Sequence, residues 1–291
     1  MAKPAQVTVQ FDKDRAWKDL LKQCEFGPRN PGSDAHIKAR DWFVEELKAT
    51  CQNVRTQEFK HKWTTTGKDV TMWNVIAEQN WEGAKTRVLL MAHWDSRPTA
   101  EQDMYQKNRI KPIIGANDGA SGVAVLLELA RSMKDRLPKD VGVMYLLTDG
   151  EDLGPELDEM FLGAVHFSKN LPTTKPDYGI LLDMIGDKDL EVPMEQFSQQ
   201  FAPGLMKAIY AHAKTVGLES TFPSEEGPEI FDDHHSVSAA GVPTIDLIDF
   251  TYPSWHTAND TPDKCSAESL GKVGKLLETW LLKDPPFKIK G

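Results

Sequence analysis

From residue 87 onward the chain alternates short apolar runs with amphipathic segments, and few folds accept that pattern. The runs "RVLLMA" (87–92), "VGVMYLL" (141–147), "YGILL" (178–182) and "PTIDLI" (243–248) read as buried strands. Helical spacing predicts helices at about 119–136, 161–169, 199–216 and 266–283. Strands and helices in such alternation imply a mostly parallel central sheet with helices on both faces. Upstream, "KDRAWKDLLKQC" (13–24) predicts a helix that "FGPRNPGS" (26–33) breaks with Gly and Pro. A second helix is expected at about 34–50, capped by Ser33 or Asp34, with Ile37, Trp42, Phe43 and Leu47 on one side. Segments 52–60 and 70–78 predict a hairpin around "TTTGKD". No internal repeat and no linker rich in Pro, Gly and Ser intervenes, so residues 1–291 are expected to form a single α/β domain.

Charge and composition narrow the partners. With 40% hydrophobic and 27% charged residues, the chain has the balance of a folded globular protein. Its net charge is −10 and its basic residues are scattered, which argues against nucleic acid or an anionic membrane surface as partner. No apolar run approaches the length of a membrane span. The first residues lack the apolar core of a signal peptide, so the chain is expected to be cytoplasmic, or a mature form whose signal is not in this sequence. Cys24, Cys51 and Cys265 are widely spaced, and buried or half-buried thiols are expected, not disulfides or a metal knuckle.

Ligands of open α/β sheets bind beyond the carboxyl ends of the strands. His93 and Asp95 follow "RVLLMA", and residues i and i+2 of an extended chain face the same side. "DGED" follows the next run with Asp149, Glu151 and Asp152. Asp183 follows "YGILL", and the loop after "PTIDLI" reaches His256 in "WHTAND". "GANDGASG" places Asp118 just before a helix, and the loop "FDDHHS" holds Asp232, Asp233, His234 and His235. Singly, Asp118 reads as a helix cap, Glu151–Asp152 as a solvated pair, and a loop His as a surface residue. Four successive strand ends that all deliver His or carboxylate shift the balance. Imidazole with carboxylate is a zinc ligand set, and three ligands with one open position mark a catalytic ion. A carboxylate beside a ligand can serve as general base.

"GANDGASG", "TDGED", "DMIG" and "WHTANDT" resemble the zinc aminopeptidase superfamily with its phosphorylase/hydrolase-like core. Within it, "FGPRNPGS", "DMIGD", "FDDH" and a Trp before the last His are similar to glutaminyl-peptide cyclotransferases, in their bacterial form. The resemblance covers nearly the whole chain. It implies Asp118, Asp152 and His256 as ligands of one zinc, Glu151 as general base and acid, Asp183 and Asp232 as its acidic partners, and Trp255 as the wall of the substrate pocket. The implied reaction converts an N-terminal glutamine to pyroglutamate with release of ammonia, on peptide or protein substrates. A monomer is expected, and the family's frequent action outside the cytoplasm favours export.

In two-metal aminopeptidases, the equivalents of His93 and Asp183 hold a second zinc, so a two-zinc aminopeptidase that hydrolyses N-terminal residues is the main alternative. A non-catalytic binding protein on the same scaffold is the other, disfavoured by the intact base and ligand set. Three departures bear on substrate fit. Asp152 stands where animal cyclases have Glu, Asp246 stands where they have a pocket His, and Ala92 takes the place of a disulfide cysteine.

Overall fold

Six strands join into one sheet in a computed structural model of the protein, which describes residues 8–283 and 286–289. β1 (Asn53–Trp63) and β2 (Lys68–Gln79) form an antiparallel hairpin. β3 (Thr86–His93), β4 (Val141–Thr148), β5 (Tyr178–Asp183) and β6 (Thr244–Ile248) follow. The order across the sheet is β1-β2-β4-β3-β5-β6. The last four strands run parallel, and β2 joins them antiparallel to β4. The mixed sheet therefore keeps the expected parallel core and adds the hairpin at one edge.

Alternation sorts the strand side chains between two layers. Val88, Leu90, Ala92, Val143, Tyr145, Leu147, Ile180 and Leu182 face a core shared with α1 (Lys13–Glu25), α2 (Asp34–Lys48) and α3 (Ala120–Ser132). Leu89, Met91, Met144, Leu146 and Leu181 face the opposite layer, which holds α4 (Leu162–Lys169). The remaining helices are α5 (Gln196–Phe201), α6 (Pro203–Thr215), α7 (Asp233–Ala239) and α8 (Ala267–Leu281). α6 and α8 join the first layer and α7 the second. Leu126 and Leu129 of α3 are wholly buried. Each such side chain contributes about 1.5–3 kcal/mol of transfer free energy.

Four sequence expectations need correction. The helix at 199–216 is two helices, because Pro203 has no N–H to donate and its ring crowds the preceding turn. It starts α6 while Ala202 lies off the helix at φ −141°. "FDDHHS" is not all loop: Asp232 accepts the Asp233 N–H and caps α7. Ile37 points to solvent, and His36 takes the buried position on α2. The hairpin strands run further than expected, which shortens the turn to 64–67, with Gly67 at φ +67°. The cysteine expectation holds: Cys24 and Cys51 are half-buried, Cys265 is buried, and all three are free.

The tightest seam lies where α3 crosses β3 and β5. A Cβ on Gly122 would stand 2.4 Å from the Leu182 carbonyl oxygen and 2.8 Å from Ala92 Cβ. Gly122→Ala gains about 1 kcal/mol of helix propensity. Overpacking against backbone costs about 1–3 kcal/mol. A net loss of stability is expected in urea unfolding; an unchanged or higher midpoint would show that α3 can ride outward freely.

Candidate active site

The parallel strands end side by side, and that alone brings most of the acidic residues together. His93 closes β3 and Asp183 closes β5, with His93 Nε2 3.1 Å from Asp183 Oδ1. The same nitrogen lies 3.1 Å from Asp118 Oδ1. Beyond β4, the backbone N–H groups of Glu151 and Asp152 each donate to the Asp95 carboxylate at 3.1 Å. His93 and Asp95 do share a side, with Nδ1 3.8 Å from Oδ1. Asp95 shapes the 149–152 turn, while His93 faces the other carboxylates. His256 Nε2 completes the group, 3.1 Å from Asp152 Oδ1 and 3.6 Å from Asp118 Oδ2.

Asp118 is not a helix cap. Gly119 takes that position at φ +98°, where a side chain is strained and a Cβ would meet the Asp95 carbonyl oxygen at 2.5 Å. The Glu151–Asp152 pair is not solvated either: their exposures are 7% and 1%. Asp118 Oδ2 and Asp152 Oδ2 are buried and receive no hydrogen bond. His93, Asp118 and Asp152 each offer a ligand atom within 4.8 Å of the others, and His256 adjoins both carboxylates. An unpartnered buried carboxylate oxygen is costly unless a cation meets it. Imidazole and carboxylate donors of this number fit a divalent ion of the zinc type.

The crowding of acids shows in their proton affinity. Burial and the neighbouring Asp152 push the Asp118 carboxyl up to about 7. Burial and Asp152 likewise raise Glu151 well above the usual carboxylate range, with Asp232 adding to the effect. Burial and Asp183 raise Asp232 to about 7. Burial works against a charge on His256, yet Asp152 and Glu101 outweigh it and carry the imidazole up to about 10.

Three supporting residues were not singled out by the sequence reading. Glu101 Oε1 lies 2.8 Å from His256 Nδ1, which orients the ring and leaves Nε2 to face the cluster. His256 itself sits at φ +51°, a left-handed backbone unusual outside glycine. Asp260 accepts the Asn117 and Asp118 N–H groups at 2.9 and 3.2 Å. Arg29, from "FGPRNPGS", is wholly buried and donates to the carbonyls of Trp94, Ile114 and Gly115 at 2.8–3.0 Å. It thereby ties the Asp118 loop to the end of β3. The motifs contain Arg29 and Asp260, but Glu101 carries no sequence signal of its own.

Other candidates point elsewhere. Asp149 turns away to His36 Nε2 at 2.9 Å and to the Trp73 N–H at 2.6 Å. Asp233 accepts from the Thr148 hydroxyl. His235 packs among Phe197, Phe201 and Phe231. A cavity of about 410 Å³ opens over Asp118, Glu151, Asp152, Asp183, Asp232 and His256. Trp255 lines it, stacked on the His256 ring at 4.0 Å, and Phe231, Phe250 and Leu157 stand at its mouth. Part of "PSEEGPEIFDDHH" forms that rim, through Glu229, Ile230 and Phe231.

This geometry has known counterparts. Residues 74–281 match the model of peptidase family M28. The chain belongs to that family. The M28 chain is 33% identical to the glutaminyl cyclase of Bacteroides thetaiotaomicron, over 95% of its own length and 99% of the other, with a TM-score of 0.90. A Zn-dependent exopeptidase from Parabacteroides distasonis is 32% identical over 95% and 100% of the two chains, with a TM-score of 0.90. A glutaminyl-peptide cyclotransferase from Gloydius blomhoffii is 27% identical over 96% of this chain and 83% of the relative. These cyclotransferases are acyltransferases, and the resemblance read from the motifs is borne out. No helix among the described residues is long and apolar enough to cross a membrane.

Glu195 anchors the segment that carries Asp232. Its carboxylate caps α5 and accepts the Ile230 N–H at 3.0 Å. Burial opposes its charge, but the neighbouring His234 imidazole and hydrogen bonds from the Ser198 and Ile230 N–H groups bring it down to about 2. A depressed carboxyl stabilises the fold above its unfolded value of 4.5 and loses that contribution as pH falls toward about 2. Glu195→Gln should therefore be less stable than the parent at pH 7, with the gap narrowing between about pH 4.5 and 2. A gap independent of pH in urea titrations would assign the loss to packing.

Proposed function

We propose that this M28 chain, as a single catalytic domain and a monomer, is a zinc-dependent glutaminyl-peptide cyclotransferase. It would act on peptides and proteins with N-terminal glutamine. The observation that carries the reading is Glu151, buried among Asp152, Asp183 and Asp232 beside a small pocket walled by Trp255. Its similarity to bacterial glutaminyl cyclases over nearly the whole chain supports it.

Asp118, Asp152 and His256 would hold one zinc. When bound, the ion supplies Lewis-acid polarisation of the substrate's γ-carbonyl. The chain's own residues do the rest. Amine and side-chain amide belong to one residue, so the pocket need only hold the glutamine folded on itself, with Trp255 against its short side chain. The α-nitrogen forms a bond to Cδ, the bond from Cδ to the amide nitrogen breaks, and that nitrogen leaves as ammonia. Glu151 takes the proton from the α-amine and delivers it to the departing nitrogen. Its raised proton affinity suits both transfers. Burial and Asp152 keep it raised, with Asp232 and Asp233 adding to the effect, and Asp95 fixes its main chain.

Incubation of the zinc-loaded protein with a glutaminyl peptide should give a product lighter by one ammonia, with the first peptide bond intact. Chelation should abolish this and zinc should restore it. Free glutamine with a shortened peptide, together with two zinc ions per chain, would instead establish the aminopeptidase.

Glu151→Gln should lower kcat by about 10² to 10⁴, the usual contribution of a positioned acid–base, with zinc content unchanged. Near-normal turnover in that variant would move the proton carrier to Asp183.

A further inference from the structure

Under the pocket floor lies a second group of buried ionisable residues that the mechanism leaves unused. Asp246 sits in β6 with no exposure, and neither of its carboxyl oxygens receives a hydrogen bond. Asp232 Oδ1 accepts the Asp233 N–H, while its Oδ2 receives nothing. Asp232, His234 and Asp246 each hold a polar atom within 4.8 Å of the others. His234 stands beside them, its Nε2 3.4 Å from Glu195 Oε2 and its Nδ1 4.0 Å from Asp246 Oδ2.

Two adjacent carboxylates out of water cannot both be ionised, so a proton or a cation has to lie between them. A zinc-type ion bound at about 2.0–2.2 Å sets its tetrahedral donors roughly 3.4 Å apart. The 4.0 Å between His234 and Asp246 is wider than that. A proton needs no such cage. Its place follows from the donors: Asp232 already has a main-chain N–H, whereas Asp246 has none and is the costlier of the two to ionise.

We infer that Asp246 is a neutral carboxylic acid that donates its hydrogen to Asp232 Oδ2, a positioning residue that holds Asp232 as a carboxylate beside Glu151. Burial, with Asp232 and Asp183 nearby, pushes Asp246 well above the carboxylate range. The ionisable groups around Asp246 are Asp183 on β5, Asp232 and His234 of the α7 turn, Glu195 before α5 and Tyr210 on α6. Of these only His234 can carry a positive charge, and its nearer carboxylate is Glu195. The effect on Asp232 and Glu151 rests on the proposed cyclase chemistry; the protonation of Asp246 does not.

Asparagine mimics a protonated aspartic acid and keeps a donor, whereas leucine keeps the size and loses it. In the zinc-loaded protein, Asp246→Asn should retain at least about tenfold more kcat/KM for a glutaminyl peptide than Asp246→Leu, the order of loss expected when one donor to a charged group is removed. The asparagine variant should also keep the parent's pH profile. Infrared spectra at neutral pH supply a readout free of activity and of the fate of the leucine variant. The parent should show carbonyl-stretch intensity of protonated buried carboxyls, and Asp246→Asn should lose one carboxyl's share of it while the share of Glu151 remains. The inference is overturned if parent and Asp246→Asn show the same protonated-carboxyl intensity, if the folded asparagine variant is as impaired as the leucine one, or if the parent binds one more divalent ion than Asp246→Asn.

Discussion

Negative charge withdrawn from water at one edge of the sheet is the constraint on which the architecture turns. A buried carboxylate has to meet a donor, a proton or a cation. The chain answers that demand differently from residue to residue. Asp95 receives two main-chain N–H groups, Asp260 receives two more and the Tyr252 hydroxyl, and Asp149 receives Trp73 and His36. These acids are spent on shaping backbone. Asp118 and Asp152 each keep an oxygen with no donor, and both residues line the same cavity. Donor supply thus separates the acids that build the site from those that remain available for chemistry.

The scaffold makes this possible by putting rigid elements directly behind each reactive side chain. His93 and Asp183 are the last residues of neighbouring parallel strands, so their spacing is fixed by the sheet. Asp118 comes from a loop without regular structure, and it is clamped by Arg29 from one side and Asp260 from the other. A wholly buried guanidinium satisfied by carbonyls alone is an unusual arrangement. It places a fixed positive charge near Asp260, which favours the ionised form that burial opposes.

Much of this was legible in the sequence because it depends on period and order. Apolar runs of strand length gave β3 to β6 in register with their helices, and the residues just past them gave His93, Glu151, Asp152 and Asp183. What escaped reading depends on local competition or on distant partners. The α5–α6 break follows from Pro203 within a stretch whose apolar spacing runs on unbroken. α7 is too short to show a period, and its DDHHS composition favours a loop. Asp118 precedes a helix as a cap would, and only the packing of Gly119 against Asp95 denies it that role. Glu101 owes its place beside His256 entirely to tertiary contact.

Asp118, Asp152 and His256 come from three separate segments, and each is braced by residues from others, Arg29 near the start of the chain among them. An unfolded chain has nothing resembling this arrangement. An ion held by these groups therefore distinguishes folded from unfolded molecules, and its binding free energy adds to that of folding. Occupancy of the site becomes a thermodynamic report on the integrity of the whole sheet. The concentration of free metal in the surroundings then sets how firmly every helix, however remote from the pocket, is held in place.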